Sequence, residues 1–510
     1  MKYSYLFGSI GIFFVIYSAF GMFEPKELSA DWRTLAIQDL EKIHQQITDI
    51  HPGVLDQDQL CPHFNVWYTQ GYDQALKRAE QVSDVHGYEY ALRYYLNGYQ
   101  DRHVALFMKK EACKAIADRA ITYRWPGFVI SWRNGKFIVS AHTQQQDQFD
   151  QLPPLGAQLI TGNGISPQEL MHQNIFPFYG NAQFEADWIR YTPSLLIDQH
   201  NPWAASISEC EFLIDDKPVT FPLIWQSVTD ETFSLLKKAQ ECMEYEQHAQ
   251  LTYFDEDCVW VRIPSFYLNT EEVVAAMNKL LCDLETIRTA RIIVLDIRGN
   301  GGGADAWGDK IILHLFGTTV YDTVKQKQHG QKFDEHRVSK CFIESTQKHF
   351  ENSCAPENMK AQWQEMLTNL KQAYNDKKQF SRLIYDEVDM EDRSRAEVQC
   401  TTNPVNGTVY LLTDGAVCSA SLSFADLCLG VPEIIHIGRP TGGDTVFMDC
   451  LFAPTENNNF EVLLPSLIRR KRICRENNQC YVPKHTFTGD MRDTQALQQW
   501  VKDLTNKVVS

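Results

Sequence analysis

No two cysteines of this 510-residue chain stand at C-x-x-C spacing, and no Cys/His group has zinc-finger spacing. A structural metal site is therefore not expected. Basic residues are too few to hold a phosphate backbone: 48 Lys and Arg face 65 Asp and Glu, for a net charge of -17. That balance argues against a nucleic-acid partner. The one dense basic run, "RRKR" at 469–472, reads as a solvated strand or turn. After the first 23 residues, no segment is apolar enough to span a membrane.

What is present is ample for packed cores, with 44% hydrophobic and 12% aromatic residues. The length calls for two or three domains. The opening "MKYSYLFGSIGIFFVIYSAFGMF" joins one lysine to a long apolar run. It reads as a signal peptide or N-terminal anchor over 1–23, and so as export to the periplasm or outside the cell. Fourteen cysteines in an exported chain permit disulfides, with Cys341/Cys354 and Cys474/Cys480 the best candidate pairs. Cys258, Cys282, Cys418 and Cys428 sit in apolar patterns and read as buried thiols.

A helical region is expected over 24–120. Leu35, Ile37, Leu40, Ile43, Ile47 and Ile50 recur at helical spacing before "HPG". In the same region "YQDRHVALFM" places His103 where a helix gives way to a strand. Over 121–230 a β-rich module is expected. Its signals are a hairpin around Asn134-Gly135 and a helix started by Ser166 and Pro167. The α/β pattern occupies 250–320 and 405–495. "DCVWVRIPSF" is a strand, and a helix capped by Asn269 follows, with Val273, Met277, Leu280, Leu284 and Ile287 as its buried stripe. "ARIIVLDIRGNGGG" is a strand buried on both faces, which completes a βαβ unit. Residues 321–404 read as a charged helical insertion, and by analogy an insertion near an active site often gates it.

Two loops carry the chemistry. In "TVYLLTDGAVCSASLSFADLCLG" a buried strand turns into a helix at Ser419. A serine there is exposed at the strand end, and the Ala420 N–H can face a developing oxyanion; the plainer reading of Ser419 or Ser421 is an N-cap. In "DIRGNGGGADAW" the three glycines let backbone approach closely, and Gly302 or Gly303 can supply a second oxyanion N–H. That loop lacks the phosphate-binding lysine and spacing. A serine nucleophile needs a base, and among fifteen histidines spacing alone does not select one.

Together these motifs resemble the tail-specific, or C-terminal processing, serine proteases. "VWVRIPSF…LDIRGNGGG", "LLTDGAVCSASLSFADLCLG" and "HIGRPTGGDT" are similar to that family's core, "PPLGAQLITGNGISPQEL" to the end of its PDZ-like domain, and "YQDRH" to a recurring D-x-H element. The resemblance implies a multi-domain α/β protein with a protease core of the ClpP/crotonase-like type. It implies hydrolysis of protein or peptide substrates without a cofactor. The best-known branch carries a catalytic lysine 25 positions after the serine, where this chain has Asp444. The tricorn-like branch uses histidine and glutamate instead, which maps the base to His103 and the orienting acid to Glu476, with Asp101 and Asp444 as lesser choices. A non-catalytic relative of this fold that carries a peptide or apolar ligand is the alternative.

Overall fold

The computed structural model describes residues 31–56, 60–109, 123–144, 151–241, 243, 248–267, 270–329, 332–352, 357–382 and 403–509. The N-terminal apolar run, Asn269 and Cys354 lie outside these, so the export segment, the Asn269 cap and the Cys341/Cys354 pair are not described. Among the described residues no helix is long and apolar enough to cross a membrane.

The α/β segments form one six-stranded sheet. Its strands run in the order His485–Thr486, Ile434–Gly438, Thr408–Thr413, Ile292–Asp296, Cys258–Arg262 and Gln250–Asp255. All neighbours are parallel except the last pair. Alternation divides each strand between two cores. Val259, Val261, Ile293, Leu295, Val409 and Leu411 pack under Glu271–Leu284, Asp305–His329 and Ala420–Gly430. Cys258, Trp260, Ile292, Val294, Tyr410 and Leu412 pack with Leu497 and Val501 of the helix Thr494–Val509. Burial on both faces is why these strands read as unbroken apolar runs. The helix Glu271–Leu284 buries the expected Val273, Met277, Leu280 and Leu284, and its cap is Thr270, which accepts the Val273 N–H.

A second, antiparallel sheet lies against the N-terminal helices. Phe460–Arg470 is its centre, paired to Ala105–Met108, Phe333–Arg337 and Phe447–Pro454, with Phe380–Arg382 at the far edge. Trp32–Ile50, Pro62–Ala79 and Val85–Asn97 cover it with Leu40, Ile43, Phe64, Tyr88 and Leu92. The 321–404 stretch is therefore not purely helical. It holds helices Lys340–Asn352 and Glu357–Asn375, but its strands Phe333–Arg337 and Phe380–Arg382 join this sheet. "FDEHR" does not read as a strand because its burial alternates under charged letters: Asp334 and His336 are the buried ones.

The β-rich module is a five-stranded meander, Phe128–Arg133, Lys136–His142, Gln158–Gly162, Glu209–Ile214 and Lys217–Pro222. It surrounds its own core of Ile130, Phe137, Leu159 and Phe212. Asn134 and Gly135 both take positive φ, as a tight hairpin turn requires.

The strand Ile292–Asp296 ends on a buried ion cluster that aims the glycine loop. Asp296 is fully buried and accepts hydrogen bonds from Trp260 Nε1 (2.9 Å) and Arg298 Nε and Nη2 (2.9 and 2.6 Å). Asp296→Ala leaves the buried Arg298 without its counter-ion and should cost about 3–5 kcal/mol. Urea unfolding followed by tryptophan fluorescence checks this through a lowered midpoint.

Candidate active site

Asp414, at the end of the strand Thr408–Thr413, organises the nucleophile turn. Its carboxylate accepts the Gly299 and Ala416 amides, each at 3.0 Å. Ser421 braces the far side: its hydroxyl accepts the Cys418 N–H at 3.0 Å and reaches the Asn300 carbonyl at 2.7 Å. Between them Ser419 adopts φ 57°, ψ -130°, a strained conformation for any residue but glycine, and caps nothing with its side chain. The plain N-cap reading of Ser419 therefore fails, and the structural hydroxyl of "SAS" is Ser421. The Ala420 N–H, first in the helix Ala420–Gly430, has no partner among the described residues. Cys418, next to the serine, donates its thiol to the Gly301 carbonyl (3.2 Å), and burial pushes that thiol's pKa up, so it is no thiolate nucleophile.

The glycine loop lies against this turn. A Cβ on Gly302 (φ 107°) would stand 2.8 Å from Ser419 Cβ, and one on Gly303 (φ 136°) would stand 2.1 Å from the Phe266 carbonyl carbon. The loop is pinned by Phe266 N–H to Gly302 O (3.0 Å) and Ala304 N–H to Phe266 O (3.1 Å). Of the two amides proposed from sequence, that of Gly302 is engaged: it donates to Asn300 Oδ1 at 2.9 Å. Gly303 keeps an amide with no partner among the described residues. The signal for this in the sequence is Asn300, two residues upstream, whose side chain can turn back onto the loop.

His103 lies in the turn between Val85–Asn97 and Ala105–Met108, nearly buried. Asp101 grips that turn: one carboxylate oxygen accepts the His103 N–H (2.8 Å), the other accepts Thr445 Oγ1 (2.7 Å). The first oxygen lies 3.4 Å from His103 Nδ1, a charge contact rather than a full hydrogen bond. Burial works to lower the imidazole's pKa, but Asp101, seconded by Asp444, outweighs it and holds the group above its ordinary value. No hydrogen bond joins His103 to Ser419 among the described residues; the two turns meet through Arg102, whose Nη1 donates to Gly415 O at 3.2 Å.

Glu476 is placed differently from the expectation. It is exposed, its N–H donating to Gln479 Oε1 (2.8 Å) and its carbonyl accepting from Arg472 (3.0 Å). No hydrogen bond or ion pair joins its carboxylate to His103 among the described residues, and the acid beside the imidazole is Asp101. Asp444, in the lysine's place, is fully buried between Arg472 (2.8 Å) and Arg475. Burial would raise its pKa; the two guanidiniums hold it below the usual carboxylate range. Lys471 is exposed, whereas Lys332 is lowered to about 8 by burial and the nearby Arg469.

The ten described cysteines are unpaired. Cys474 and Cys480, expected as a bridge, face different neighbours: the Cys474 thiol meets Asp426, and Cys480 feels Arg102 and Glu185. Cys282 is exposed rather than buried, being on the outer face of its helix, while Cys258 and Cys428 are buried as expected.

A serine on a strained strand-to-helix turn, two amides unpartnered among the described residues and a carboxylate-backed histidine are the parts that an acyl-transferring serine hydrolase uses. Residues 257–458 match the sequence model of peptidase family S41, which marks this part of the chain as similar to the tail-specific serine peptidases. No curated protein matches the chain. Its fold is similar to the crystal structure of mature CPAF, at TM-score 0.57 and 11% identity, over 94% of this chain and 98% of that one. The complex of mature CPAF with lactacystin gives TM-score 0.56 and 10% identity, over 94% and 99%. These two likenesses concern the fold alone.

Gly302→Ala should push Ser419 and Ala420 aside and lower kcat on a peptide substrate by about 10²–10³, as loss of an oxyanion donor does. Turnover measured beside an unchanged circular-dichroism spectrum checks it.

Proposed function

We propose that this peptidase is an endopeptidase that cleaves protein or peptide substrates through an acyl-enzyme on Ser419, with His103 as general base. The observation that carries the reading is the Ser419 turn: a non-glycine residue held at positive φ against Gly302, its side chain free of any capping role. His103 takes the Ser419 proton as the hydroxyl attacks the scissile carbonyl. Gly303 and Ala420 amides hold the oxyanion, and the imidazolium then returns the proton to the leaving amine. Water repeats the sequence to release the acid. Asp101 holds the imidazole and balances its charge, in place of Glu476. Asp444, held by its two arginines in the lysine's place, supports a tricorn-like serine–histidine arrangement over a serine–lysine pair. Export through the N-terminal apolar run, cleaved or retained as an anchor, belongs to the same reading, as does a PDZ-like role for the β-rich module.

Ser419→Ala should lose at least about a thousandfold in turnover, and a fluorophosphonate should label Ser419 in the parent protein, located by peptide mass mapping. An unlabelled parent with residual Ser419→Ala activity would favour a non-catalytic carrier.

The base should also show in the pH profile. Because His103 is held above the ordinary value of about 6.5, kcat/KM should rise through one ionisation above that pH and then level off. Asp101→Asn removes the charge that raises it, so the ionisation should move to lower pH while turnover falls by more than about tenfold. Glu476→Gln should leave the midpoint in place. The reverse ranking would return the orienting role to Glu476, and a dead Lys332→Ala with an active His103→Ala would transfer the base to the lysine.

A further inference from the structure

Arg102 stands in "QDRH" immediately before the base, and three parts of the molecule converge on its guanidinium. Nη1 donates to Gly415 O in the nucleophile turn at 3.2 Å. Nη2 donates to Asp187 Oδ1 at 2.5 Å, and Asp187 belongs to the helix Glu185–Tyr191 that packs with the β-rich module. Asp187 is itself buried and fixed by the Asn181 N–H at 2.8 Å. The surrounding backbone is cut to this joint. A Cβ on Gly442 would lie 2.1 Å from Arg102 Nη1, one on Gly415 would lie 2.7 Å from Ala186 Cβ, and one on Gly443 would lie 2.4 Å from the Phe184 ring. Gly442 also donates its N–H to Val417 O at 3.0 Å, so the same glycine loop is bonded to the nucleophile turn.

We propose that Arg102 is a positioning residue for the Ser419–His103 pair, and that Asp187 of the β-rich module is its anchor. The inference rests on the reading of Ser419 and His103 as the reacting groups. In this structure no hydrogen bond joins those two side chains, so their separation is set by what holds the two turns together. Among the described residues, Arg102 is the side chain that bonds one turn directly to the other. It is one peptide unit from the base and hydrogen-bonded four residues before the nucleophile. Asp187 restricts the guanidinium to the orientation that reaches Gly415. The β-rich module thereby contributes to catalysis through one buried ion pair, without touching the reacting atoms. Neutralising Asp187 leaves a buried guanidinium with a poorer partner, and the arginine is then free to leave the Gly415 carbonyl.

The test uses the full chain and the near-isosteric Asp187→Asn. Its kcat on a peptide should fall at least about tenfold with KM within about twofold, because misplacement of reacting groups lowers the chemical step rather than binding. The fluorophosphonate rate at Ser419, which requires no peptide recognition, should fall by the same factor. Arg102→Gln should match it, and the double variant should be no worse than either single one, as expected of two residues acting as a unit. Arg124→Gln breaks the more exposed Arg124–Asp198 pair of the same module and should leave both rates unchanged. Parent-like labelling and kcat in Asp187→Asn, or losses that add in the double variant, would overturn the proposal while leaving the serine reading intact. A parent protein that the probe never labels would overturn both.

Discussion

The candidate active site depends on one constrained residue. Ser419 sits at φ 57° and ψ -130°, a conformation that costs about 1–3 kcal/mol and persists only where the surroundings over-determine it. The surroundings here are specific. Asp414 holds the entry of the turn, Ser421 ties it to Asn300, and Gly302 leaves the space that any side chain would fill. The same Asn300 shapes the glycine loop through the Gly302 amide, so the Ser419 turn and the glycine loop are two sides of one hydrogen-bonded unit. The strained turn thereby leaves a half-buried Ser419 hydroxyl, free of any capping role, beside amides unpartnered among the described residues.

Around that unit, charge is distributed by burial. Asp101 and Asp444 both approach the His103 neighbourhood, but with opposite partners. Asp101 lies against the imidazole and so favours its protonated form. Asp444 is committed to Arg472 and Arg475, which keep it ionised and fixed. The loop carrying those arginines also bonds Asn478 N–H to Asp444 O and Asn478 Nδ2 to Gln100 O. The residues that replace a lysine are thus part of the brace around the histidine. A carboxylate could not serve as the missing amine, but a carboxylate held by two guanidiniums can support a neighbouring imidazole.

Much of this was legible in the sequence, for local reasons. A strand buried on both faces is an unbroken apolar run, and Ile292–Asp296 and Thr408–Thr413 announce themselves that way. Three glycines and a small-residue turn mark where backbone must come close, and that is where the structure brings Ser419 against Gly302. What stayed hidden depends on contacts between distant parts of the chain. Asp101 and His103 are two residues apart, yet only the turn that brings the carboxylate back on the imidazole distinguishes it from Glu476. Arg102 and Asp187 meet across 85 positions, and neither has a local signature. The strand Phe333–Arg337 buries Asp334 against Arg469, so its inward face is charged and its pattern does not read as a strand.

The central claim is that Ser419 attacks and that the Gly303 and Ala420 amides receive the charge. A crystal structure with a peptide boronic acid tests it directly, since the boron mimics the tetrahedral carbon. Boron should bond to Ser419 Oγ, with one boronate oxygen about 3 Å from both amides and His103 turned toward the other. Boron bonded elsewhere, or an oxygen held by groups other than those two amides, would contradict it.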